Sequence, residues 1–423
     1  MAHYQITTLP NGVTIASAVL PHMNSVCVGL WVGVGGRHEP AELSGISHFI
    51  EHMLFKGTTS RTAEQISQSV EGLGGYLNAF TSEDHTCFYA RVVASRCNAV
   101  LEVLFDMFLR SKFAEEDIAK ERNVIREELA MYYDQPQQYV HELLNQVQWP
   151  DQPLGRPLAG SDATLKRMRR AHFTAYLDRC YVSEATLVVA AGAVDHKALV
   201  AEVKRLSRRC RTGPKPAFAP AVHPQEKPGV RLDARKTSQA HLALGIRTAS
   251  RHDPRRYALR LLNAVVGETM SSRLFVELRE NRGLAYDIHS SLSFFEDTGD
   301  LVVSAGLDAD NVEKALKLIL RELRHLAVKP IGAAELRRAK DYIIGQMELN
   351  LESTENHMMT LGEQILGWGQ ITAPEEVARR LRAVRPSDVR RAMEDFLKPE
   401  RLSLALVSPR KDGAALEKLL AKI

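Results

Sequence analysis

The sequence has no long hydrophobic segment and no recognisable targeting signal. No uninterrupted apolar run reaches the roughly 18 residues that a membrane-spanning helix requires. The first residues, from Met1 to Ile6, lack the basic region and the apolar region of a secretory signal peptide. These absences predict a soluble intracellular protein without a membrane span.

Cysteine is scarce, and its spacing matches no pairing pattern. No two cysteines form a C-x-x-C pair, and the set is odd in number and dispersed along the chain: Cys27, Cys87, Cys97, Cys180 and Cys210. A disulfide framework is therefore not expected. Free thiols fit a reducing compartment, and we expect the cytoplasm, with the mitochondrial matrix as the alternative.

Charge is nearly balanced, and the composition is that of a globular protein. The 55 basic and 51 acidic residues leave a formal net charge of +4, too little to predict nucleic-acid binding unless it is clustered on one face. Hydrophobic residues at 45% and charged residues at 25% exclude disordered and collagen-like classes. The chain of 423 residues is longer than the roughly 250 to 300 residues that usually fold around one hydrophobic core, so at least two domains are expected.

Prolines are concentrated near the middle of the chain. The segment 211–229 has no helical or strand periodicity and contains Pro214, Pro216, Pro220, Pro224 and Pro228. Repeated prolines favour an extended, semi-rigid linker. This linker would separate a first domain, 1–210, from a second domain, 230–423.

The two predicted domains repeat one order of elements. A strand, a helix, a glycine turn and paired strands lie at 25–32, 44–56, 72–75 and 76–93 in the first half, and at 240–247, 254–266, 283 and 284–307 in the second. This order predicts an internal duplication. Strands in hairpins, with helices in separate runs, predict an α+β fold in which each domain is a mainly antiparallel sheet packed with helices.

The sequence predicts a helix with Ser44 as its N-cap and Gly57 as its C-cap, and one face of this helix carries two histidines and a glutamate. Helical spacing puts the apolar side chains on one face and His48, Glu51 and His52 on the opposite face. Histidines at i and i+4 can bind one zinc ion from the same side, with the glutamate beside them. This is the inverted H-x-x-E-H zinc motif, although a solvated helix face is the alternative explanation.

A catalytic zinc site needs a third protein ligand and an open position. The helix predicted from Glu115 to Tyr133 contains Glu121 and Glu128, seven positions apart and therefore on one face. One of them can bind the metal while the other supports the site. Either glutamate is also compatible with a solvated helix surface.

The H-x-x-E-H run and the later glutamate pair together resemble the insulinase/pitrilysin family of metallopeptidases. The similarity is greatest to its short-chain members, typified by the mitochondrial processing peptidase and its bacterial relatives. The resemblance implies one zinc ion per chain, held by His48, His52 and Glu128. Glu51 would be the general base for a zinc-bound water, and Glu121 would support the site. Glu127 is turned about 100° away from its neighbour and is not expected to bind zinc.

A glycine turn and the strand after it also resemble the family's substrate-binding segment. An extended peptide is expected to pair with this strand, and the residues concerned are Gly74, Gly75, Asn78, Ala79 and Phe80. Without the family, the segment is simply a hairpin with a glycine turn. The two interpretations are compatible.

The second half resembles the family in its R-x6-Y segment and lacks metal ligands. Arg279 and Tyr286 are expected to serve the active site, the tyrosine by stabilising the oxyanion. At the positions that match the zinc motif stands an apolar run from Ala258 to Leu262, and Gln346 matches the glutamate ligand. The second domain is therefore predicted to be metal-free.

The resemblance implies a zinc metalloendopeptidase. Its substrates would be unfolded peptides or presequences, bound as an extended strand in an enclosed chamber. A non-catalytic partner subunit and a small-molecule metallohydrolase are the alternatives, and the complete set of zinc-site residues favours the peptidase. Longer family members fuse four such units, so this two-unit chain is expected to form a homodimer, or else a heterodimer with an inactive homologous subunit.

Overall fold

The computed structural model describes residues 3–423, which form two compact units with separate hydrophobic cores. Unit 1 comprises the described residues up to Leu129, together with Pro157–Ala219 and Leu349–Ile371. Unit 2 comprises Ala130–Arg156, Pro220–Glu348 and Thr372–Ile423. Met1 and Ala2, at the start of the segment in which no targeting signal is predicted, lie outside the described residues.

Unit 1 is built on a six-stranded sheet. Its strands are β1 (His3–Thr8), β2 (Thr14–Val19), β3 (Ser25–Val32), β4 (Tyr76–Thr81), β5 (Thr86–Val93) and β6 (Thr186–Gly192). They lie in the order β1-β2-β6-β3-β5-β4, and only the β2–β6 pair is parallel within the described sheet. Strand β4 is therefore an edge strand, with one side of its backbone open to pairing.

Unit 2 is built on a five-stranded sheet. Its strands are β7 (Gly229–Ala234), β8 (Ala240–Thr248), β9 (Ala285–Phe294), β10 (Gly299–Leu307) and β11 (Leu402–Ser408). The order β7-β11-β8-β10-β9 matches β2-β6-β3-β5-β4 of unit 1 position by position, including one parallel pair, β7–β11. The shared topology supports the predicted duplication, and the predicted α+β class is confirmed.

Fifteen α-helices accompany the two sheets in the described chain. They are α1 (Ile46–Leu54), α2 (Ala63–Glu71), α3 (Cys97–Arg110), α4 (Glu115–Tyr133), α5 (Pro136–Gln148), α6 (Asp162–Arg167), α7 (Arg170–Cys180), α8 (His196–Leu206), α9 (Arg256–Asn263), α10 (Val312–Val328), α11 (Ala333–Asn350), α12 (Thr354–Trp368), α13 (Pro374–Ala383), α14 (Pro386–Phe396) and α15 (Ala414–Leu420). Two π-helical turns, Ala264–Glu268 and Phe275–Glu280, precede β9.

The duplication extends to a side chain on each long helix. Arg122 of α4 donates to the carbonyl oxygens of Leu165 and Met168, where α6 ends. Lys340 of α11 donates in the same way to the carbonyl oxygens of Arg382 and Val384, where α13 ends. A cation at a helix C-terminus satisfies carbonyl groups that have no partner within the helix. In both units, therefore, a basic side chain of the long helix is bound to the C-terminal end of a short helix.

Two helices cross between the predicted domains. Helix α12, from the second half of the sequence, packs on β2, β3 and β6 of unit 1, whereas α5, from the first half, packs on β7, β8 and β11 of unit 2. In unit 1 the indole nitrogen of Trp31 donates to the sulfur of Met358 at 3.3 Å, and Gly362 leaves room for the indole ring. The compact units therefore differ from the predicted domains 1–210 and 230–423, because each sheet covers one face with a helix from the other half.

The predicted linker contains no helix or strand between the bridge residue Arg211 and Gly229. Its first part belongs to unit 1, where Phe218 lies under the guanidinium of Arg37, with 4.0 Å from Cζ to the ring centroid. The five cysteines are unpaired, as expected, and all but Cys97 are buried. In the described part of the chain, no helix combines the length and the apolar character needed to cross a membrane.

Candidate metal centre

Helix α1 presents its apolar face to the core of unit 1 and its polar face to the candidate site. Ile46, Phe49, Ile50, Met53 and Leu54 are at most 1% exposed. His48, Glu51 and His52 lie on the other face and are only partly buried. The helical period that places apolar side chains in the core thus brings the two histidines and the glutamate together.

The start of α1 differs from the prediction. The helix begins at Ile46, after Gly45 with φ +93°, and the carboxylate of Glu39 accepts hydrogen bonds from the amides of Gly45 and Ser47 at 2.7 and 2.8 Å. The first turn therefore gains its acceptor from a buried glutamate outside the helix, and Ser44 is not the N-cap. The helix also ends before the predicted Gly57, at Leu54, with Phe55 as the C-cap.

Helix α4 brings one glutamate to the two histidines. Oε2 of Glu128 lies 3.7 Å from Nε2 of His48 and 3.7 Å from Nε2 of His52. One ligand atom from each residue lies within 4.8 Å of the others, and no other group of this kind occurs among residues 3–423. Glu127 is exposed and takes no part in this cluster.

The donor set fits a zinc ion. Two imidazole nitrogens and a carboxylate oxygen are the ligands of many catalytic zinc sites, and atoms bound to one tetrahedral zinc lie about 3.3 Å apart. The two nitrogen–oxygen distances of 3.7 Å are close to that spacing. The pKa of His48 is lowered to about 4, mainly by burial and in addition by neighbouring His52. Because the imidazole is neutral at neutral pH, its lone pair is available to a metal.

Glu121 contacts the far side of the His52 ring. Its Oε2 lies 3.1 Å from His52 Nδ1, and its Oε1 lies 2.7 Å from Lys56 Nζ. A proton on Nδ1 directed at the carboxylate leaves Nε2 as the unprotonated nitrogen that faces Glu128. Lys56 was not predicted as part of the site. Its position one helical turn after His52 could have indicated that it lies on the same side as the histidines. Glu121 thus fixes the tautomer in which His52 can bind a metal.

We expect Glu121→Gln to weaken zinc binding by roughly 10- to 100-fold without abolishing it, as loss of a partner behind a metal ligand usually does. The substitution keeps the shape of the side chain but removes the charge that orients His52 Nδ1–H. A competition titration with a zinc chelator measures the affinity. Glu116→Gln, an exposed site on the same helix, is the matched control. Equal affinities in both variants would make Glu121 an ordinary helix charge.

Glu51 lies beside the cluster but outside it. Its Oε2 accepts a hydrogen bond from the hydroxyl of Thr81 at 2.6 Å. Burial raises the pKa of the Glu51 carboxyl above its ordinary value, and the hydrogen bond from Thr81 and the proximity of His52 act in the opposite direction. A carboxylate that is held close to a metal site and is not itself a ligand is in a position to accept a proton. Thr81 was not predicted as part of the site.

The predicted substrate-binding residues lie on the turn and the edge strand of unit 1. Gly74 has φ +71°, and a side chain on Gly75 would collide with the carbonyl oxygen of Arg91 at 2.6 Å. Asn78 is exposed, and its side-chain oxygen accepts the Ala79 amide at 2.9 Å. The ring of Phe80 packs against Trp31, with 5.6 Å between the ring centroids. The Phe80 side chain therefore packs in the core.

Arg279 and Tyr286 belong to unit 2. Arg279 lies in the second π-helical turn, and Tyr286, with 76% of its surface exposed, is the second residue of β9. The guanidinium carbon of Arg279 lies 5.8 Å from the centroid of the Tyr286 ring. The two side chains are thus neighbours within unit 2. Their catalytic roles stay predictions.

An ion pair and hydrogen bonds connect the polar side chains of α9, the helix of unit 2 that matches the zinc-motif helix of unit 1. Arg260 of α9 makes a bidentate contact with Glu268, and Asn263 donates to the same carboxylate at 2.8 Å. Ser290 of β9 in turn donates to the side-chain oxygen of Asn263 at 2.7 Å. Gln346 stands at the position of Glu128 on the equivalent long helix. These contacts give the polar side chains of α9 partners within unit 2, and the absence of a metal from this unit stays a prediction.

Comparison with known proteins covers nearly the whole chain. The model of the insulinase family, peptidase family M16, matches residues 14–162, and the model of the M16 inactive domain matches residues 167–343. An uncharacterized zinc protease of Streptomyces coelicolor is 38% identical over 97% of this chain and 90% of its own length. An uncharacterized zinc protease of Bacillus subtilis is 36% identical over 95% of this chain and 97% of its own length.

Solved structures share the fold at lower identity. A protease from Helicobacter pylori superposes with a TM-score of 0.90 at 21% identity, covering 97% of this chain and all of the other. A peptidase M16 inactive domain from Pseudomonas fluorescens gives a TM-score of 0.90 at 19% identity, covering 96% of this chain and 98% of the other. At these identities the similarity shows the fold.

Proposed function

The chain belongs to the insulinase family of zinc proteases, and from that premise we propose that it is an endopeptidase acting on unfolded peptides. The proposal rests on one observation: His48, His52 and Glu128 lie close together, and the Glu51 carboxylate lies beside them without a described ion pair. This arrangement provides three metal ligands and a separate proton acceptor. Both are needed for metal-assisted hydrolysis of an amide.

The edge position of β4 supports an extended substrate. A peptide can add to an exposed sheet edge by main-chain hydrogen bonds, which select an unfolded backbone and place few demands on sequence. Strand β4 has such an edge, and its last residue, Thr81, contacts Glu51. A peptide aligned along β4 would therefore be presented close to the proton acceptor. The enclosed chamber and the homodimer stay predictions.

The residues divide the chemistry between binding and proton transfer. When bound, zinc supplies Lewis-acid polarisation of the scissile carbonyl and of water. His48, His52 and Glu128 hold the ion, and Glu121 keeps His52 in the binding tautomer. Thr81 donates to Oε2 of Glu51, which leaves Oε1 available to accept the proton of the attacking water and pass it to the leaving amine.

Metal removal on a peptide with both ends blocked tests the proposal. We expect the purified protein to cleave interior bonds of an unstructured peptide that is acetylated and amidated. A chelator should abolish cleavage, and stoichiometric Zn²⁺ should restore it. Mass spectrometry of the products locates the cut bonds.

Two results would contradict the proposed endopeptidase. Removal of residues only from peptides with free ends would indicate an exopeptidase. Cleavage that persists after metal analysis has shown a zinc-free protein would exclude the metal-dependent mechanism.

A further inference from the structure

The hydroxyl of Thr81 makes the one described hydrogen bond to the Glu51 carboxylate. The 2.6 Å distance between Thr81 Oγ1 and Glu51 Oε2 is in the short range of hydroxyl–carboxylate bonds. No second hydrogen bond or ion pair to this carboxylate is found among residues 3–423. Oε2 of Glu51 therefore accepts a hydrogen bond from Thr81, and Oε1 has no described partner.

The backbone at Thr81 is fixed from both sides. Thr81 pairs with Thr86 in the β4–β5 ladder, and the buried Thr86 hydroxyl donates to the Val34 carbonyl at 3.0 Å. The turn that follows is closed by a bond from the Ser82 amide to the His85 carbonyl, and the Ser82 carbonyl accepts the Gly36 amide. A β-branched side chain on such a backbone has few rotamers. Its hydroxyl is thus a fixed point.

The alternation of β4 directs Thr81 to the side of the sheet on which α1 lies. Leu77 and Ala79 precede Thr81 by four and two residues. Both pack against the core that contains the apolar face of α1. Phe80, of opposite parity, packs in a separate cluster with Trp31. Residues i, i+2 and i+4 of a strand share one face. Thr81 therefore meets α1 because of its register in β4.

We propose that Thr81 is a positioning residue that holds Glu51 ready for proton transfer and keeps it out of the set of zinc ligands. The inference rests on the proposed function, because Thr81 acts through Glu51. Glu51 is one helical turn from His48 and adjacent to His52, so an unrestrained side chain can swing toward the ion. The donor cluster contains Glu128 and not Glu51. Small errors in the position of a reacting group are costly in rate.

The test compares two substitutions that differ in the hydroxyl. Thr81→Val keeps the branched shape and removes the donor, and we expect it to lower kcat by about 10- to 100-fold, as loss of a hydrogen bond to a charged group does. The KM for a terminus-blocked peptide should stay near the parent value, and the zinc affinity should stay the same or rise, since a released Glu51 can turn toward the ion. The thermal unfolding midpoint checks that the variant is folded. Thr81→Ser keeps the donor and should restore kcat to within about threefold.

A double variant shows whether Thr81 acts through Glu51. Two residues that work as one unit give non-additive effects, so Thr81→Val should cause no further loss in a Glu51→Gln background. A parent-like kcat in Thr81→Val, equal losses in the Val and Ser variants, loss of zinc affinity in Thr81→Val, or an additive loss in the double variant would each overturn the positioning role. If Glu51→Gln alone keeps full activity, the proposed general base fails instead, and this inference fails with it.

Discussion

Replacing Glu51 by glutamine is expected to lower kcat by roughly 10²- to 10⁴-fold, the range that a positioned acid–base group contributes. The amide oxygen of glutamine can still accept the hydrogen bond that Thr81 donates to Oε2. It cannot take a proton from water at neutral pH. Because Glu51 lies outside the donor cluster, the variant should bind zinc with the parent affinity. Steady-state cleavage of a terminus-blocked peptide, with metal analysis of the same sample, measures both quantities.

The control for this variant is Glu42→Gln, a matched substitution at an exposed position shortly before α1. Parent-like kcat in the control would show that the charge change alone is harmless. More than a trace of activity in zinc-loaded Glu51→Gln would remove the general-base assignment. Loss of zinc in Glu51→Gln would instead indicate that Glu51 supports the metal.

The zinc helix could be predicted because its information is local. The spacing of His48, Glu51 and His52 within one helix determines that they share a face, and the structure has that face. Glu128 is different, because its contact with the histidines depends on how α4 packs against α1. The sequence reduced the choice to one face of α4, and the family resemblance selected the residue. The structure brings Glu128, and not Glu127, to the histidines.

Contacts between distant segments were not predictable from the sequence alone. Glu39 caps α1 from outside the helix, so the local pattern, which offered Ser44, gave the wrong N-cap. Thr81 reaches Glu51 only because the register of β4 points it toward α1. The exchange of α5 and α12 between the two sheets depends on packing, which the order of elements does not encode. The predicted domain boundaries therefore miss both helices.

Removing any of the three metal ligands should have the second large effect. We expect His48→Ala, His52→Ala and Glu128→Gln each to weaken zinc binding by well over the roughly 100-fold that marks loss of a supporting partner. Each substitution leaves two protein ligands where a catalytic site uses three. Competition titration with a chelator gives the affinity. Peptide cleavage should fall in parallel, because the activity follows the bound metal.

Glu127→Gln is the matched control for Glu128→Gln, since the two residues are adjacent on α4 and only Glu128 meets the histidines. A ligand that binds the folded state raises its free energy of unfolding in proportion to the logarithm of the ligand concentration over Kd. Added zinc should therefore raise the unfolding temperature of the parent and of Glu127→Gln, and leave that of Glu128→Gln nearly unchanged. The reverse result would identify Glu127 as the zinc ligand in place of Glu128, and would mean that a different face of α4 lines the site.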